Sequence, residues 1–301
     1  MVLVIGATGF VGRFLCARLS EEGVRVRAFT RHVGQADAVL GRLKDIEIVR
    51  GDALEAGSIL RASTDQKIVV FLATALSCAA LDRPANELDQ RMMANLIRAS
   101  VKPDPPLIVY ISALCDPERH TSRHIETQIR LERELRDSGL PYCIFRAPVI
   151  VGKWGAFFRL CRTALERFKV LWLPRNVSTP CQPIYVGDVV SYISSVVSDP
   201  PAESRIYEIA GHDVLSCQDM IELCASALGL SRVLVPMPHN FGGRAAQLLS
   251  QYTGIPASAV NALFEDSAVP RVTSDDRALM DFPNIHPLGY IDSLQKALRE
   301  P

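Results

Sequence analysis

The sequence predicts an α/β protein built on a doubly wound parallel sheet, with a smaller second lobe. Three observations carry this: an apolar run closed by evenly spaced glycines at the start, an alternation of strand-like and amphipathic stretches, and a composition that can bury a full core. Of 301 residues, 48% are hydrophobic and 22% charged, which suits one large unit better than two independent ones.

Val2 to Ile5 are apolar and mostly β-branched, as a buried parallel strand requires. Gly6, Gly9 and Gly12 follow at the spacing G-x-x-G-x-x-G. From there Val11, Phe14, Leu15 and Leu19 fall on one face of a helix over 10–22, with Gly23 placed to end it. Backbone N–H groups at such a helix start, helped by the helix dipole, hold a pyrophosphate. Gly6, Thr8, Gly9, Phe10, Val11 and Gly12 therefore read as a dinucleotide site. The alternative is a tight strand-to-helix turn without a ligand.

Further strands are expected over 24–29, 46–49, 68–72, 107–111 and 142–145. Between them, 85–100 places Leu88, Met92, Leu96 and Ala99 on one face. A helix over 123–138 turns Ile125, Ile129 and Leu135 inward, with Ser122 as N-cap and Gly139 as stop. This βαβ alternation argues for a Rossmann-type sheet with helices on both faces. After Gly152 the pattern is broken by prolines, with strands at 184–186, 205–209 and 233–236 and helices near 189–197, 217–228, 241–253 and 291–299. Residues 1–152 are thus expected to form the dinucleotide-binding core. Residues 153–301 should form a C-terminal substrate lobe packed on the carboxyl edge of the sheet, the two making one structural unit.

Lys+Arg and Asp+Glu number 33 each, which removes any global electrostatic case for nucleic acid or an anionic membrane as partner. The expected partner is a small-molecule substrate, with the oligomeric state open. Eight scattered cysteines without a C-x-x-C read as reduced, packing thiols, and no metal site is expected. The chain enters its first strand without a basic segment and cleavage site, and no apolar run reaches the ~20 residues that span a bilayer. A soluble, cytoplasmic protein with no membrane span is the expectation.

The cofactor can be followed across successive strand ends. Where an acidic residue would take the ribose 2′-hydroxyl of NAD, the second strand ends in Arg31, and Arg13 follows the glycine turn. Both suit a 2′-phosphate, so NADP(H) is preferred over NAD(H); the alternative for Arg31 is a solvated surface charge. The third strand ends at Asp52-Ala53, where a carboxylate can accept from the adenine amino group, and the fourth at Ala73-Thr74, small enough for close backbone approach.

These residues and others resemble the atypical short-chain dehydrogenase/reductases, including NmrA-like proteins. The matching text is GATGFVG at 6–12, RGDALE at 50–55, SGLPYCIFRAPVIVG at 138–152 and CQPIYVGDVV at 181–190. FPNIHPLGYIDSLQKAL at 282–298 is similar to the closing segment of a bacterial NAD(P)H-binding subgroup, so the resemblance covers nearly the whole chain. It implies NADP(H) along the strand ends just named, with Pro148 in Arg146-Ala147-Pro148-Val149 beside the nicotinamide. It also implies a catalytic Tyr-x-x-x-Lys with a partner Ser, and here the chain departs. Aligning Thr127-Gln128-Ile-Arg-Leu-Glu132 with the family's Ser-Lys-x-x-x-Glu places His124 at the Tyr and Gln128 at the Lys, four apart on one helix face. The Ser falls at Ala113 or, one residue earlier, at Ser112.

His124 suits general acid work at neutral pH, its alternative being a solvated histidine at a helix start. His120 and Lys153 are weaker candidates, and Gln128 can hydrogen-bond ribose hydroxyls without acid–base chemistry. Trp154, Phe157, Phe158 and Trp172 suggest a flat apolar pocket, or else packing of the smaller lobe. Tyr185 and Asp188 read as anchors of the next helix, Asp188 as its N-cap. The function expected is an NADPH-dependent reductase for a quinone- or enone-like acceptor. The alternative is a non-catalytic redox sensor or assembly factor; nucleotide-sugar epimerase or dehydratase chemistry is disfavoured because it leans on the Tyr-Lys pair.

Overall fold

The computed structural model of the chain describes residues 1–75, 84–116, 122–173, 177–237 and 242–300. Its first half alternates strand and helix: β1 (Val2–Ile5), α1 (Phe10–Glu21), β2 (Val26–Thr30), α2 (Val33–Leu40), β3 (Ile46–Arg50), α3 (Ala56–Ala62), β4 (Ile68–Phe71), α4 (Ala85–Ser100), β5 (Leu107–Ala113), α5 (Arg123–Asp137) and β6 (Tyr142–Ala147). There follow β7 (Ile150–Val151), α6 (Ala156–Arg167), β8 (Val170–Leu173), β9 (Pro180–Cys181), β10 (Ile184–Tyr185), α7 (Val186–Ser198) and β11 (Arg205–Glu208). The last elements are β12 (Leu215–Ser216), α8 (Cys217–Ala227), β13 (Val233–Pro236), α9 (Gly242–Thr253), α10 (Ala257–Asp266), α11 (Arg277–Asp281) and α12 (Tyr290–Arg299).

Seven strands make one parallel sheet in the order β11-β6-β5-β4-β1-β2-β3. The order reverses between β1 and β4, where such sheets open a crevice at their carboxyl ends. β1 and β4 are buried at every position, which explains their unbroken apolar text. One apolar layer, including Leu15, Leu19, Phe145, Val189 and Ile193, lies between the sheet and α1 and α7. The opposite layer, with Met93, Leu96, Leu131 and Leu135, backs the sheet with α4 and α5. A third core joins α6, α8 and α12 through Phe158, Leu165, Cys224, Tyr290 and Leu294.

The caps of the two clearest helices fall where expected. Gly23 and Gly139 adopt φ of +70° and +73° just past α1 and α5, and the Ser122 hydroxyl accepts the Ile125 N–H at 3.1 Å. Three expectations need correction. β11 pairs in parallel with β6, and α7 lies on α1 in the same apolar layer, so these segments complete the sheet's own sandwich instead of covering its carboxyl edge. Asp188 sits in the first turn of α7, whose N-cap is Tyr185; its carboxylate accepts the Leu288 N–H at 2.9 Å and so ties in the 282–288 stretch. α6, which was not read as a helix, buries Phe158, Cys161, Ala164 and Leu165 on one face.

Cys78, His120 and Phe241 lie outside the described residues; the seven described cysteines are free and buried. No helix among the described residues is long and apolar enough to cross a membrane.

Candidate nucleotide and proton-transfer site

The glycine turn is fixed by close approach. Gly6 has φ +92°, and a Cβ there would lie 2.8 Å from the carbonyl carbon of Leu72 and 2.9 Å from the Ala73 nitrogen, so the turn rests on the end of β4. A Cβ on Gly12 would meet the Gly6 oxygen at 2.2 Å; α1 leaves the turn along this path only without a side chain there. Gly9 is the exposed N-cap of α1 and offers no side-chain cap. The first-turn N–H groups of Phe10, Val11 and Gly12 therefore face no capping side chain from it. The Phe10 ring fills the space beside Gly152 and Gly155, where added Cβ atoms would approach it to 2.8 and 3.0 Å. The Arg13 guanidinium donates to the Thr8 carbonyl at 3.2 Å and lies 4.7 Å from the Trp154 ring centroid.

Along the strand ends, Arg31 follows β2 and is exposed. Asp52 spends one carboxylate oxygen on the Leu54 N–H at 2.9 Å and donates its own N–H to the Ser58 hydroxyl at 3.1 Å. The buried Ala53 accepts the Asn95 amide through its carbonyl at 3.1 Å. Ala73 is half-buried beside exposed Thr74, whose hydroxyl donates to Asp89 at 3.4 Å. The Ala75 N–H donates to the same carboxylate at 2.6 Å. Burial pushes the Asp89 carboxyl up, against the opposing pulls of the Ala75 N–H, the His124 charge and the Thr74 hydroxyl. Sequence reasoning passed over Asp89. Its signal was a carboxylate inside the apolar stripe of α4, next to Leu88.

At the end of β5, the Ser112 hydroxyl is buried and has no hydrogen-bond partner among the described residues. Its register partner on β6 is Arg146, held by Glu132 of α5 through two bonds of 3.1 and 2.6 Å. Gln128 accepts the Tyr110 hydroxyl at 2.6 Å. Burial pushes that phenol well above its ordinary range, with Asp89, Glu132 and Glu134 adding to the effect, so Tyr110 is a neutral donor here.

His124 stands in the first turn of α5 with its Nδ1 at 3.0 Å from Oδ2 of Asp266, the last residue of α10. The other carboxylate oxygen accepts a short hydrogen bond from the Ser122 hydroxyl. Asp266 was missed because its partners lie 142 and 144 residues away, beyond any local pattern.

Pro148 is buried at the exit of β6. Trp154 is 41% exposed, whereas Phe157 is half-buried against the third core. Phe158 is 2% exposed inside that core, so it is a packing residue and leaves the pocket-lining set. Lys153 donates its ammonium to the Glu300 carbonyl at 2.7 Å.

The fold and the glycine turn define a protein of the dinucleotide-binding α/β class. Residues 6–153 match the family model described as NAD(P)H-binding. The chain is 26% identical over 247 residues to the alpha subcomplex subunit 9 of mitochondrial NADH dehydrogenase [ubiquinone] 1 from Dictyostelium discoideum, covering 79% of this chain and 67% of that one. It is 26% identical over 229 residues to the chloroplastic divinyl chlorophyllide a 8-vinyl-reductase of Oryza sativa subsp. indica, covering 70% of this chain and 54% of the relative. Its fold superposes on an NADPH-dependent quinone oxidoreductase of Escherichia coli, complexed with NADPH, with TM-score 0.75 and 17% identity over 99% of this chain and 100% of that one.

Proposed function

We propose that the protein is a cytoplasmic, NADPH-preferring reductase of the atypical short-chain dehydrogenase/reductase type, acting on a small apolar conjugated acceptor such as a quinone or enone. One observation carries this reading. The carboxyl end of the sheet combines a helix start with no side-chain cap, a buried Ser112 hydroxyl without a partner among the described residues, and the His124 imidazole in the first turn of α5.

The residues fit the cofactor. Gly6, Thr8, Gly9, Phe10, Val11 and Gly12 would cradle the diphosphate with backbone N–H groups. Arg31 would take the 2′-phosphate, and Asp52 and Ala53 would border the adenine. Ala73, Thr74, Ser112, Gln128 and Pro148 would line the riboside end. A ribose or amide oxygen would give the Ser112 hydroxyl the partner that the described residues do not. Gln128, its oxygen taken by Tyr110, would donate through its amide nitrogen.

Bound NADPH supplies the two electrons as hydride. The chain's task is then to exclude water and deliver one proton. His124 would supply it, and Trp154 and Phe157 would offer the apolar wall. A conjugated acceptor spreads the incoming charge, so an imidazole suffices where a simple ketone would need Tyr and Lys. The likeness to a relative named as a vinyl reductase supports this class of acceptor, and the buried free thiols accord with a reducing compartment.

The test is a calorimetric titration with NADPH and NADH, followed by NADPH oxidation against a panel of quinones and enones. Tighter NADPH binding with acceptor-dependent oxidation is expected. Tight binding without turnover across the panel overturns the reductase. That outcome favours a non-catalytic NADP(H)-binding redox sensor or assembly factor, a reading supported by the likeness to a respiratory-complex subunit.

A further inference from the structure

We propose that Asp266 is the positioning residue of a His124–Asp266 pair: it takes the Nδ1 proton of the imidazole and leaves Nε2 as the atom that exchanges protons with the reduced acceptor. The inference rests on the reductase reading above for its second half, and on geometry for its first. The carboxylate comes from α10, in a part of the chain with no place in the nucleotide-binding sheet, and reaches back to the first turn of α5.

Three features distinguish this from an incidental surface contact. The Asp266 side chain is only 5% exposed, while His124 keeps 27% of its side chain open to solvent, enough for water to replace a proton. Both carboxylate oxygens are assigned: Oδ2 faces His124 Nδ1 at 3.0 Å and Oδ1 takes the Ser122 hydroxyl. The carboxylate therefore cannot turn away from the ring without breaking its second bond. The pair also sits in a charged setting with more than one source. Asp89 of α4 acts on His124 across the crevice end of β4, and Arg271 acts on Asp266 from the segment after α10.

A carboxylate on Nδ1 does two things for an imidazole. It selects the tautomer that carries hydrogen on Nδ1, and it stabilises the imidazolium from which Nε2 gives up a proton. In the proposed cycle Nε2 of His124 would give the acceptor its one proton, with bound NADPH as the source of the hydride. The neutral ring keeps its Nδ1 hydrogen on Asp266 and recovers the Nε2 proton from water. Asp266 itself is not protonated at any stage.

The experiment reads the ring directly. Imidazole 15N spectra of the ligand-free protein at about pH 8, above the ordinary imidazole range, are compared for wild type, Asp266→Asn and Ser122→Ala. Wild type and Ser122→Ala should show His124 with hydrogen on Nδ1 and a bare Nε2. Asp266→Asn, whose amide can donate to Nδ1, should show the opposite tautomer. An unchanged tautomer in Asp266→Asn, or hydrogen on Nε2 in wild type, overturns the pairing. With an acceptor found in the quinone and enone panel, Asp266→Asn should lower kcat about tenfold or more, with the KM for NADPH within about twofold. An unchanged kcat overturns the positioning role. If no acceptor is turned over by the wild type, the reductase reading fails, while the spectra still decide whether Asp266 sets the tautomer. Should Asp266→Asn unfold, Asp266→Glu keeps the charge and should retain the wild-type tautomer; the opposite tautomer in that variant overturns the pairing.

Discussion

At the scale of single residues, the glycine turn and the cation that follows β2 make separable predictions. Gly12→Ala puts a methyl group 2.2 Å from the Gly6 oxygen, an overlap only backbone movement can relieve. Overpacking of this kind costs about 1–3 kcal/mol or more, so the variant should melt early and lose NADPH affinity together, as thermal unfolding with and without NADPH would show. Arg31→Ala should leave folding intact and weaken NADPH by about 1.5–3 kcal/mol, the worth of hydrogen bonds to a charged group. NADH should be almost unaffected, and equal weakening of both would place the 2′-phosphate elsewhere. These residues were legible because their constraints are local: a glycine that a turn requires, or a charge at a strand end, is written within a dozen residues. Phe158 shows the limit. An aromatic at the start of α6 reads the same whether it lines a pocket or faces α8, and only its 2% exposure decides.

Among elements, the decisive contacts are those that join helices from distant parts of the chain, and they escaped the sequence for that reason. Caps were legible, since Ser122 and Gly139 act on their own helix. The tie from α10 to α5 was not, because Asp266 carries no mark of its partner 142 residues away. Its consequence for stability has a definite sign. Burial pushes the Asp266 carboxyl up, but the bond and charge of His124, the charge of Arg271 and the Ser122 hydroxyl outweigh it and hold the carboxyl below the usual range. A depressed folded value means stability that is present above the unfolded pKa of about 3.9 and is lost as pH falls below it toward the folded value. Below the imidazole range, the difference in unfolding free energy between wild type and Asp266→Asn should therefore be largest near pH 5 and narrow in more acid solution. A difference that grows as pH falls below about 5 would contradict the assignment. Within the sheet layer, Glu132 is nearly sealed and meets Arg146 through two bonds. Glu132→Gln weakens that pair while Glu208 still lies 3.7 Å from the guanidinium, and should cost about 1.5–3 kcal/mol, the range for hydrogen bonds to a charged group, measurable by denaturant titration.

For the whole molecule, the question is what holds the mouth of the nucleotide crevice in place, since the segment after β6 has little regular structure of its own. The answer lies at residue 300. One Glu300 carboxylate oxygen accepts the Lys153 N–H at 2.8 Å and the other accepts the Tyr185 hydroxyl at 2.9 Å, while its carbonyl accepts the Lys153 ammonium at 2.7 Å. Lys153 lies between Gly152, which abuts the Phe10 ring at the head of α1, and Trp154, which covers Arg13. α12 is itself secured by Tyr290 and Leu294 in the third core, so the crevice and the second half of the chain share one mechanical element. Tyr185 registers the same contact: burial first, then the Glu300 hydrogen bond and charge, push its phenol above the ordinary range. Glu300→Ala removes the two bonds to the carboxylate and keeps the one to the carbonyl. Hydrogen bonds to a charged acceptor are worth about 1.5–3 kcal/mol when buried, and partial exposure discounts them. A loss near 1–3 kcal/mol is therefore expected, or roughly 2–6 °C in Tm for a chain of this size. Because the released turn carries Trp154, its fluorescence should become more open to iodide quenching, with Trp172 as the unmoved reference in a Trp154→Phe background. NADPH affinity should fall in the same variant, since Phe10 loses the surface that fixes the head of α1. Unchanged quenching together with an unchanged Tm would show that the turn is held by its own packing, and that the crevice does not depend on residue 300.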